Sequence, residues 1–142
     1  MKVREVMTNN VRSMFNNSSI KDVATEMKIL NVGSIPITSR DNRAVGIVTD
    51  RDIVIRSLTG QGDVNSPISS IMTSELISVS PDTDIHEAAR LMAEKQVRRL
   101  PVVENGNLVG IVSLGDLAVR DVYANEAGDA LSNISLPDRN MR

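Results

Sequence analysis

The sequence predicts an α+β fold in which two β-α-β-β-α repeats pack about a pseudo-twofold axis. The same motifs occur in the same order in both halves of the chain: Val6-Met7-Thr8 recurs as Ile71-Met72-Thr73, and Gly46-Ile47-Val48 recurs as Gly110-Ile111-Val112. Each half combines one segment of helical apolar periodicity with two segments that alternate as strands do. Each repeat is too short to bury a stable core alone, so we expect the two to bury their apolar faces against each other.

The first half of each repeat contains a helical lead-in, a short strand and a long helix. The lead-in is VREVM in repeat one and ISSIM in repeat two, and the strands are VRSM and LISV. Ser18 or Ser19 caps the helix of repeat one, whereas Pro81-Asp82-Thr83-Asp84 starts that of repeat two. Because methionine commonly fills gaps in cores, the apolar stripes of both helices are expected to face the core. The stripes contain Ile20, Val23, Ala24, Met27 and Leu30 or Ile29 in repeat one, and Ile85, Ala88, Ala89 and Met92 in repeat two.

The second half of each repeat is a β-hairpin followed by a helix. The hairpin strands are SIPIT and AVGIVT in repeat one, and LPVV and LVGIVS in repeat two. Asn105-Gly106 is a strong signal for a two-residue turn between the second pair of strands. The last helix begins at Thr49 in repeat one and at Ser113 in repeat two.

Domain boundaries follow from the alignment of the repeats. Repeat one spans residues 1–58 and repeat two spans residues 68–122. The linker between them, 59–67, reads TGQGDVNSP and is rich in Gly, Asn, Ser and Pro. Residues 123–142 form a tail, whose short helical pattern contains Ala124, Ala127, Ala130, Leu131 and Ile134.

The composition excludes several classes of function. The chain has no cysteine, which rules out disulfides, thiol catalysis and zinc–thiolate sites. One Phe, one Tyr and no Trp provide no platform for stacking bases, and a net charge of −2 gives no field that attracts nucleic acid or an anionic membrane. No signal region or membrane-spanning run is present, so a cytoplasmic protein is expected. We expect His86, the one histidine, at the surface rather than in a catalytic or metal site.

The motif Thr49-x-x-Asp52, which recurs as Ser113-x-x-Asp116, has two interpretations. A hydroxyl at a helix N-cap and an acidic residue three positions later form a capping box, although Asp is shorter than the usual Glu or Gln. Alternatively, the helix start and the hydroxyl bind an anion, and the Asp accepts hydrogen bonds from a ribose diol as acidic residues do in dinucleotide sites. Spacing alone leaves both interpretations open.

Both repeats resemble the CBS motif, which is named after cystathionine β-synthase. The resemblance rests on VMT and IMT, GSIPIT and RRLPVV, and GIVTDRDIV and GIVSLGDLA. It implies a tandem pair of the α/β-type CBS fold with two clefts between the repeats. It also implies a regulatory ligand that contains adenosine (AMP, ADP, ATP or S-adenosylmethionine), and no required cofactor. Such modules regulate another protein, do no chemistry, and often form homodimers through their helices, which an exposed Ala/Met helix face would permit here.

The resemblance assigns roles to individual residues. Asp52 and Asp116 are expected to hold the ribose, and Thr49 and Ser113 to contact phosphate or sugar. The residues before the Pro of each hairpin line the cleft, and the stretch leading into the first long helix supplies walls for the opposite repeat. The residues expected to bind the ligand are Phe15, Ile20, Val32, Gly33, Ile47, Thr49, Arg51 and Asp52 in repeat one, and Ser80, Ile85, Val97, Arg98, Arg99, Ile111, Ser113 and Asp116 in repeat two.

The two predicted sites differ in charge. Repeat two has Arg98-Arg99 where repeat one has Gly33-Ser34. Arginine binds phosphate through bidentate, charge-assisted hydrogen bonds, but two such residues on a strand edge are equally explained as solvated surface groups. Arg51, on the first turn of a helix, either reaches a phosphate or pairs with Asp50. Gly115 departs from the small polar residue that the family usually has at its position.

The sequence supports two functional hypotheses. The first is a stand-alone regulatory module that binds an adenosine-containing ligand. The second is a ligand-free module for dimerisation or for docking to a regulated protein whose identity the sequence does not reveal. An enzyme is not expected, because no nucleophile with its base and no metal-ligand cluster is apparent.

Overall fold

The computed structural model describes residues 1–73, 75–118, 130 and 134. The chain divides into two compact units. The repeat-one unit contains Asn10–Ile77 and Asn105–Leu108, and the repeat-two unit contains Met1–Asn9, Ser78–Glu104 and the described residues from Val109 onward. Helices and strands succeed one another along both units, which confirms the predicted α+β fold class.

The repeat-one unit has the predicted β-α-β-β-α order. Its elements begin with β1 (Met14–Phe15), α1 (Ile20–Leu30), β2 (Ser34–Thr38) and β3 (Ala44–Thr49). β1 lies parallel to β2, and β2 lies antiparallel to β3. Both hairpin strands have the bounds that the sequence predicts. Ser19 is the residue that caps α1, because its hydroxyl accepts the backbone N–H of Asp22 at 3.0 Å.

The last helix of the repeat-one unit is longer than predicted. It starts as α2 (Asp50–Asp52) and continues as a π-helical segment (Ile53–Gln61), so it enters the stretch 59–67 that the sequence assigns to a linker. The Thr59 hydroxyl donates to the carbonyl of Ile55 and keeps this stretch in the helix. Gly60, with a φ of 93°, then takes a backbone conformation that glycine adopts without strain and that breaks the helix.

The repeat-two unit continues the pattern with α3 (Ile85–Lys95), β4 (Arg99–Glu104), β5 (Asn107–Ser113) and α4 (Leu114–Ala118). β4 and β5 pair in a two-stranded sheet. Both residues of the predicted Asn105-Gly106 turn have positive φ, 53° and 84°, as a tight hairpin turn requires.

The predicted strand LISV is reduced to one bridge. Only Val79 pairs with β4, through a parallel bridge to Val102. Its N–H donates to Pro101, and its carbonyl accepts from Val103 at 2.8 Å. Hydrogen bonding ends there because Ser80 and Pro81 turn the chain into α3: the Ser80 N–H is directed to the Thr83 hydroxyl and Pro81 has no N–H to donate.

The lead-in segments are exchanged between the repeats. Thr8, from the start of repeat one, forms two backbone hydrogen bonds with Ile111 of β5 in the repeat-two unit, at 2.9 and 3.1 Å. In the repeat-one unit, Ile68 from the start of repeat two donates its backbone N–H to Ser18 at 2.7 Å. Val3 and Ile68 occupy matching positions in the two repeats and are both completely buried. Each unit is therefore completed by the first few residues of the other repeat.

Ion pairs hold the N-terminal lead-in to the repeat-two unit. The Arg4 guanidinium donates to Asp82 Oδ1 at 2.7 Å, and Lys2 Nζ lies 3.6 Å from the same oxygen. The hydrogen bond from Arg4 holds the pKa of the Asp82 carboxyl below its usual range. Backbone bonds from Val3 to Thr83 and from Arg4 to Pro81 complete the contact.

Most of the helix positions predicted for the core are buried, including Met27 and Met92, whereas Ala24 is half-buried and Ile29 and Leu30 are exposed. The core of the repeat-one unit consists of Ile20, Val23, Met27, Ile35, Ile37, Val48, Ile68 and Ile71. The expectation of an exposed Ala/Met helix face is wrong for Met27 and Met92, which are buried, whereas Ala24 is half-buried. Exposed apolar side chains lie on the π-helical segment, where Leu58 is 82% exposed and Val54 55%, and at the end of α1, where Ile29 is 70% exposed.

The predicted tail falls almost wholly outside the described residues. Ala130 and Ile134 are both helical, as the sequence pattern predicts, and Ala130 is buried. The predicted helical positions Ala124, Ala127 and Leu131 lie outside the described part of the chain.

Candidate functional site

The hydroxyl-x-x-Asp motif forms a complete capping box in both units. In the repeat-one unit the Asp52 N–H donates to Thr49 Oγ1 at 3.1 Å, and the Thr49 N–H donates to Asp52 Oδ2 at 3.0 Å. In the repeat-two unit the matching distances between Ser113 and Asp116 are 3.2 and 2.8 Å. The capping interpretation is therefore confirmed in both units, although Asp is shorter than the usual Glu or Gln. One carboxylate oxygen, Oδ2, serves the cap in each unit.

The same backbone hydrogen bond ties each helix start to the segment before the hairpin. The Asp50 N–H donates to the Gly33 carbonyl at 2.9 Å, and the Leu114 N–H donates to the Arg98 carbonyl at 2.9 Å. In the repeat-one unit, Ser34 also lies directly opposite Thr49 in the β2–β3 register. Within each unit, the structure thus brings together the capping pair and the residues that precede the Pro of the hairpin.

Charged side chains surround the two helix starts in different ways. The Asp50 carboxylate accepts the backbone N–H of Arg51 at 2.8 Å, so Asp50 pairs with the main chain of Arg51. At the position of Asp50 the repeat-two unit has Leu114, which is buried. Arg98 and Arg99 are exposed and make no ion pair with the described residues of the chain.

Four of the predicted residues extend these clusters. Val32 and Val97 directly precede the hairpins, and each donates its N–H to the last turns of the preceding helix, at Met27 and Met92, both at 3.0 Å. Ile47 and Ile111 lie on the second strand of each hairpin and are half-buried. Ile47 and Ile111 lie two residues before the capping hydroxyl on their strands. Val32 and Val97 precede the residues whose carbonyls accept a hydrogen bond from the helix start.

Four other predicted residues lie away from the capping pair of their own unit. Phe15 pairs with Thr38, which lies at the opposite end of β2 from Ser34. The distance between Thr38 and Ser34 along the strand is about 13 Å. Ser80 follows Val79 at the corresponding end of β4, where its hydroxyl accepts the N–H of Asp82. The remaining two, Ile20 and Ile85, are 2% and 1% exposed and belong to the core.

The sequence reasoning missed the role of Arg56. Its guanidinium donates to the Ile71 carbonyl and to Thr73 Oγ1, and it lies 3.8 Å from Asp52 Oδ1. Arg56 therefore connects the exchanged lead-in of repeat two with the second carboxylate oxygen of Asp52. The signal was present in the sequence, since an arginine recurs at the matching position of repeat two, Arg120.

The described residues include neither a cluster of metal-ligating side chains nor a helix able to span a membrane. Among residues 1–73, 75–118, 130 and 134, no group of three or more His, Cys, Asp or Glu side chains could hold a metal ion. None of the helices described there has the length and apolar character needed to cross a membrane. His86 is exposed at the start of α3.

The chain is similar to curated and solved proteins over almost its whole length. It is 44% identical over 133 residues to the CBS domain-containing protein YhcV of Bacillus subtilis, covering 94% of each chain. The CBS domain protein PAE2072 of Pyrobaculum aerophilum, solved in complex with AMP, is 30% identical with a TM-score of 0.77, and the match covers 90% of this chain and 98% of that one.

A second solved relative holds adenosine derivatives without a phosphate. The CBS domain pair of protein MJ0100, in complex with 5′-methylthioadenosine and S-adenosyl-L-methionine, is 25% identical with a TM-score of 0.74. The match covers 84% of this chain and 98% of that one. The family model of the CBS domain itself matches twice, over residues 3–58 and 68–122. With two tandem matches and these relatives, the chain belongs to the CBS domain family.

Proposed function

We propose that this chain is a regulatory module that binds an adenosine-containing ligand and performs no chemistry of its own. The observation that carries the proposal is that solved relatives of the same fold hold AMP in one case, and 5′-methylthioadenosine with S-adenosylmethionine in another. The part common to these ligands is adenosine, so the ribose and the adenine are the groups that a shared site would recognise. No cofactor is required in this proposal, because the ligand acts as a signal.

The hydroxyl-x-x-Asp pairs are the proposed ribose contacts. Each carboxylate uses Oδ2 for its cap, and the cap holds the side chain in one rotamer. A carboxylate held in this way can accept a hydrogen bond from a ribose hydroxyl through Oδ1 without losing further side-chain entropy. The capping and the binding interpretations are therefore compatible, and the cap prepares the Asp for the ligand.

The other proposed contacts divide by unit. Beside Asp52 they are Val32, Gly33, Ile47, Thr49 and Arg51. Beside Asp116 they are Val97, Arg98, Arg99, Ile111 and Ser113. Ile20 and Ile85 are buried in the core and are not contacts in this proposal. The apolar members suit the adenine ring, and Arg98 and Arg99 suit a phosphate.

Replacement by glutamate separates the two roles of each Asp. Glutamate is the preferred capping-box residue, so Asp52→Glu and Asp116→Glu should keep the helix start. The extra methylene displaces the carboxylate oxygens from the ribose position, and we expect each variant to lose binding at its own site. Isothermal titration of the full chain with AMP and with 5′-methylthioadenosine measures this, and circular dichroism checks the fold. Unchanged binding in the double variant would refute the proposed contacts.

We also propose that a second copy of the chain covers an apolar groove of the repeat-one unit. The groove has a volume of about 410 Å³ and is lined by α1, by the π-helical segment and by Val64, which follows that segment; its lining includes Ala24, Val54 and Leu58. Two-fold pairing of such a helix face buries the exposed Leu58 in the groove of the partner. Leu58→Glu should convert the dimer to a monomer in sedimentation-velocity analysis, whereas the exposed control Thr25→Glu at the rim should weaken it less. A monomeric wild-type chain would refute this part.

A further inference from the structure

The two proposed ribose sites differ at one place in the fold. Position 33 in repeat one and position 98 in repeat two both offer their carbonyl to the first residue of the following helix. In repeat two that position carries Arg98, and the helix begins with the apolar Leu114. In repeat one it carries Gly33, and the helix begins with Asp50. Repeat two therefore has an arginine at the position where repeat one has a glycine close to the Asp50 carboxylate.

Asp50 lies directly over the backbone of Gly33. A Cβ atom built on Gly33 would be 3.3 Å from Asp50 Oδ2, so the carboxylate occupies the space into which the Arg98 side chain emerges in repeat two. The other oxygen, Oδ1, accepts the Arg51 N–H at 2.8 Å, which fixes the orientation of the side chain. The carboxylate is therefore held at the helix start by its neighbour's main chain.

The Asp50 carboxylate also faces an open surface depression that has room for a ligand. Asp50 and Arg51 line an open depression of about 430 Å³ together with Val54 and Ile55. Arg51 brings one cation to this depression and Asp50 one carboxylate, whereas Arg98 and Arg99 in repeat two lie beside the uncharged Leu114. Asp50 thus offsets the attraction of Arg51 for an anionic group, whose hydrogen bonds would also compete with the one that Asp50 already makes.

We propose that the two repeats select adenosine ligands of different charge: the Asp116 site binds one that carries a phosphate, and the Asp52 site binds one that does not, such as a thioether or sulfonium derivative of adenosine. This inference rests on the proposed function, because it assumes that both Asp residues contact ribose. Arg98 and Arg99, which make no ion pair with the described residues, supply the phosphate contacts in the Asp116 site. Asp50 is the specificity-determining residue of the other site, because its charge opposes the attraction of the neighbouring Arg51 for phosphate.

The test isolates one site at a time in the full chain. The Asp116→Glu variant retains only the Asp52 site. AMP and 5′-methylthioadenosine are titrated separately into this variant by calorimetry. We expect AMP to bind at least about fivefold more weakly than 5′-methylthioadenosine, the factor that corresponds to the interaction of two unit charges 4 Å apart in water. In the Asp52→Glu variant the order should reverse, and Arg98→Gly with Arg99→Ser should abolish the preference.

Substitutions at Asp50 then identify the cause. Asp50→Asn keeps the acceptor for the Arg51 N–H and removes the charge, and Asp50→Leu installs the residue of repeat two. In the Asp116→Glu background, both should raise the AMP affinity about fivefold and leave that for 5′-methylthioadenosine unchanged. Asp22→Asn, an exposed carboxylate on α1, makes the same change in net charge and should alter neither.

The outcomes separate the inference from the function on which it rests. An unchanged ratio of AMP to 5′-methylthioadenosine affinity in both Asp50 variants would overturn the charge selection and leave the proposed function standing. Failure of both ligands to bind the wild-type chain would overturn both.

Discussion

Asp52 and Asp116 show why a short motif can resist interpretation from sequence. A helix cap and a ribose contact both need a hydroxyl and a carboxylate one turn apart, so spacing could not separate them. The structure shows two closed capping boxes, and the same closure holds each carboxylate in place. What the sequence could not predict was that Asp spans the cap, because this depends on the local backbone geometry rather than on side-chain length alone.

The cap of α4 is open to a direct stability test. Ser113→Ala removes the oxygen that accepts the Asp116 N–H, and we expect the free energy of unfolding to fall by about 1 kcal/mol. Urea denaturation followed by circular dichroism measures it. Ser69→Ala, at an exposed serine whose side chain makes no hydrogen bond in the described structure, is the matched control and should be neutral. Equal effects of the two substitutions would show that the cap contributes nothing.

Asp82 provides a test of pH dependence. Its hydrogen bond from Arg4 lowers the pKa of the carboxyl in the folded chain relative to the unfolded chain. The stability that this pair contributes is therefore present above the ordinary carboxyl pKa and is lost as the pH falls through the lowered value. The wild type should exceed Asp82→Asn in urea midpoint at neutral pH, and the difference should vanish in acid.

Both groups are exposed to solvent, so added salt should also reduce this difference. Asp22→Asn is the control for the loss of one carboxylate, and its midpoint should stay close to that of the wild type at every pH. A difference between wild type and Asp82→Asn that grows in acid would contradict the assignment.

At the scale of the elements, the sequence predicted the two hairpins and the two long helices, but not the loss of the strand LISV or the partners of the lead-ins. β2 and β3 have the predicted bounds because alternation and a turn define them locally. The exchange that places Thr8 on β5 and Ile68 beside Ser18 was not apparent, since apolar periodicity identifies the buried face of a segment and not the repeat that covers it. The π-helical extension was missed because Gly60 and its polar neighbours read as a linker.

Two matching glycines test how tightly the lead-ins are held. A Cβ atom on Gly110 would lie 2.8 Å from the Thr8 carbonyl oxygen, whereas one on Gly46 would meet the mobile end of the Met72 side chain at 2.7 Å. Gly110→Ala must therefore displace backbone, and we expect it to cost about 1–3 kcal/mol in free energy of unfolding.

Gly46→Ala should cost less, because the Met72 side chain can change rotamer. Urea denaturation of both variants gives the comparison, and amide hydrogen exchange at Thr8 should accelerate in Gly110→Ala only. A larger loss of stability in Gly46→Ala would contradict the described packing of the lead-ins.

At the scale of the whole molecule, two repeats of one fold carry different charged groups. Asp50 and Gly33 in one unit correspond to Leu114 and Arg98 in the other, although the backbone hydrogen bond between the positions is the same. The repeated motifs predicted the fold because they encode backbone geometry and core packing, which both repeats need. They could not identify the ligand, because the proposed selectivity depends on the positions at which the repeats differ.

The most direct test of the account is the effect of AMP on the unfolding free energy of the full, ligand-free chain. A ligand at 100 times its Kd stabilises a single site by about 2.7 kcal/mol, and we expect a gain of this size for the wild type. The double variant Asp52→Glu with Asp116→Glu should unfold like the ligand-free wild type and gain nothing from AMP, and GMP should stabilise neither chain comparably. An equal gain in the double variant, or no gain in the wild type with AMP, S-adenosylmethionine or 5′-methylthioadenosine, would contradict the claim that these two carboxylates bind adenosine.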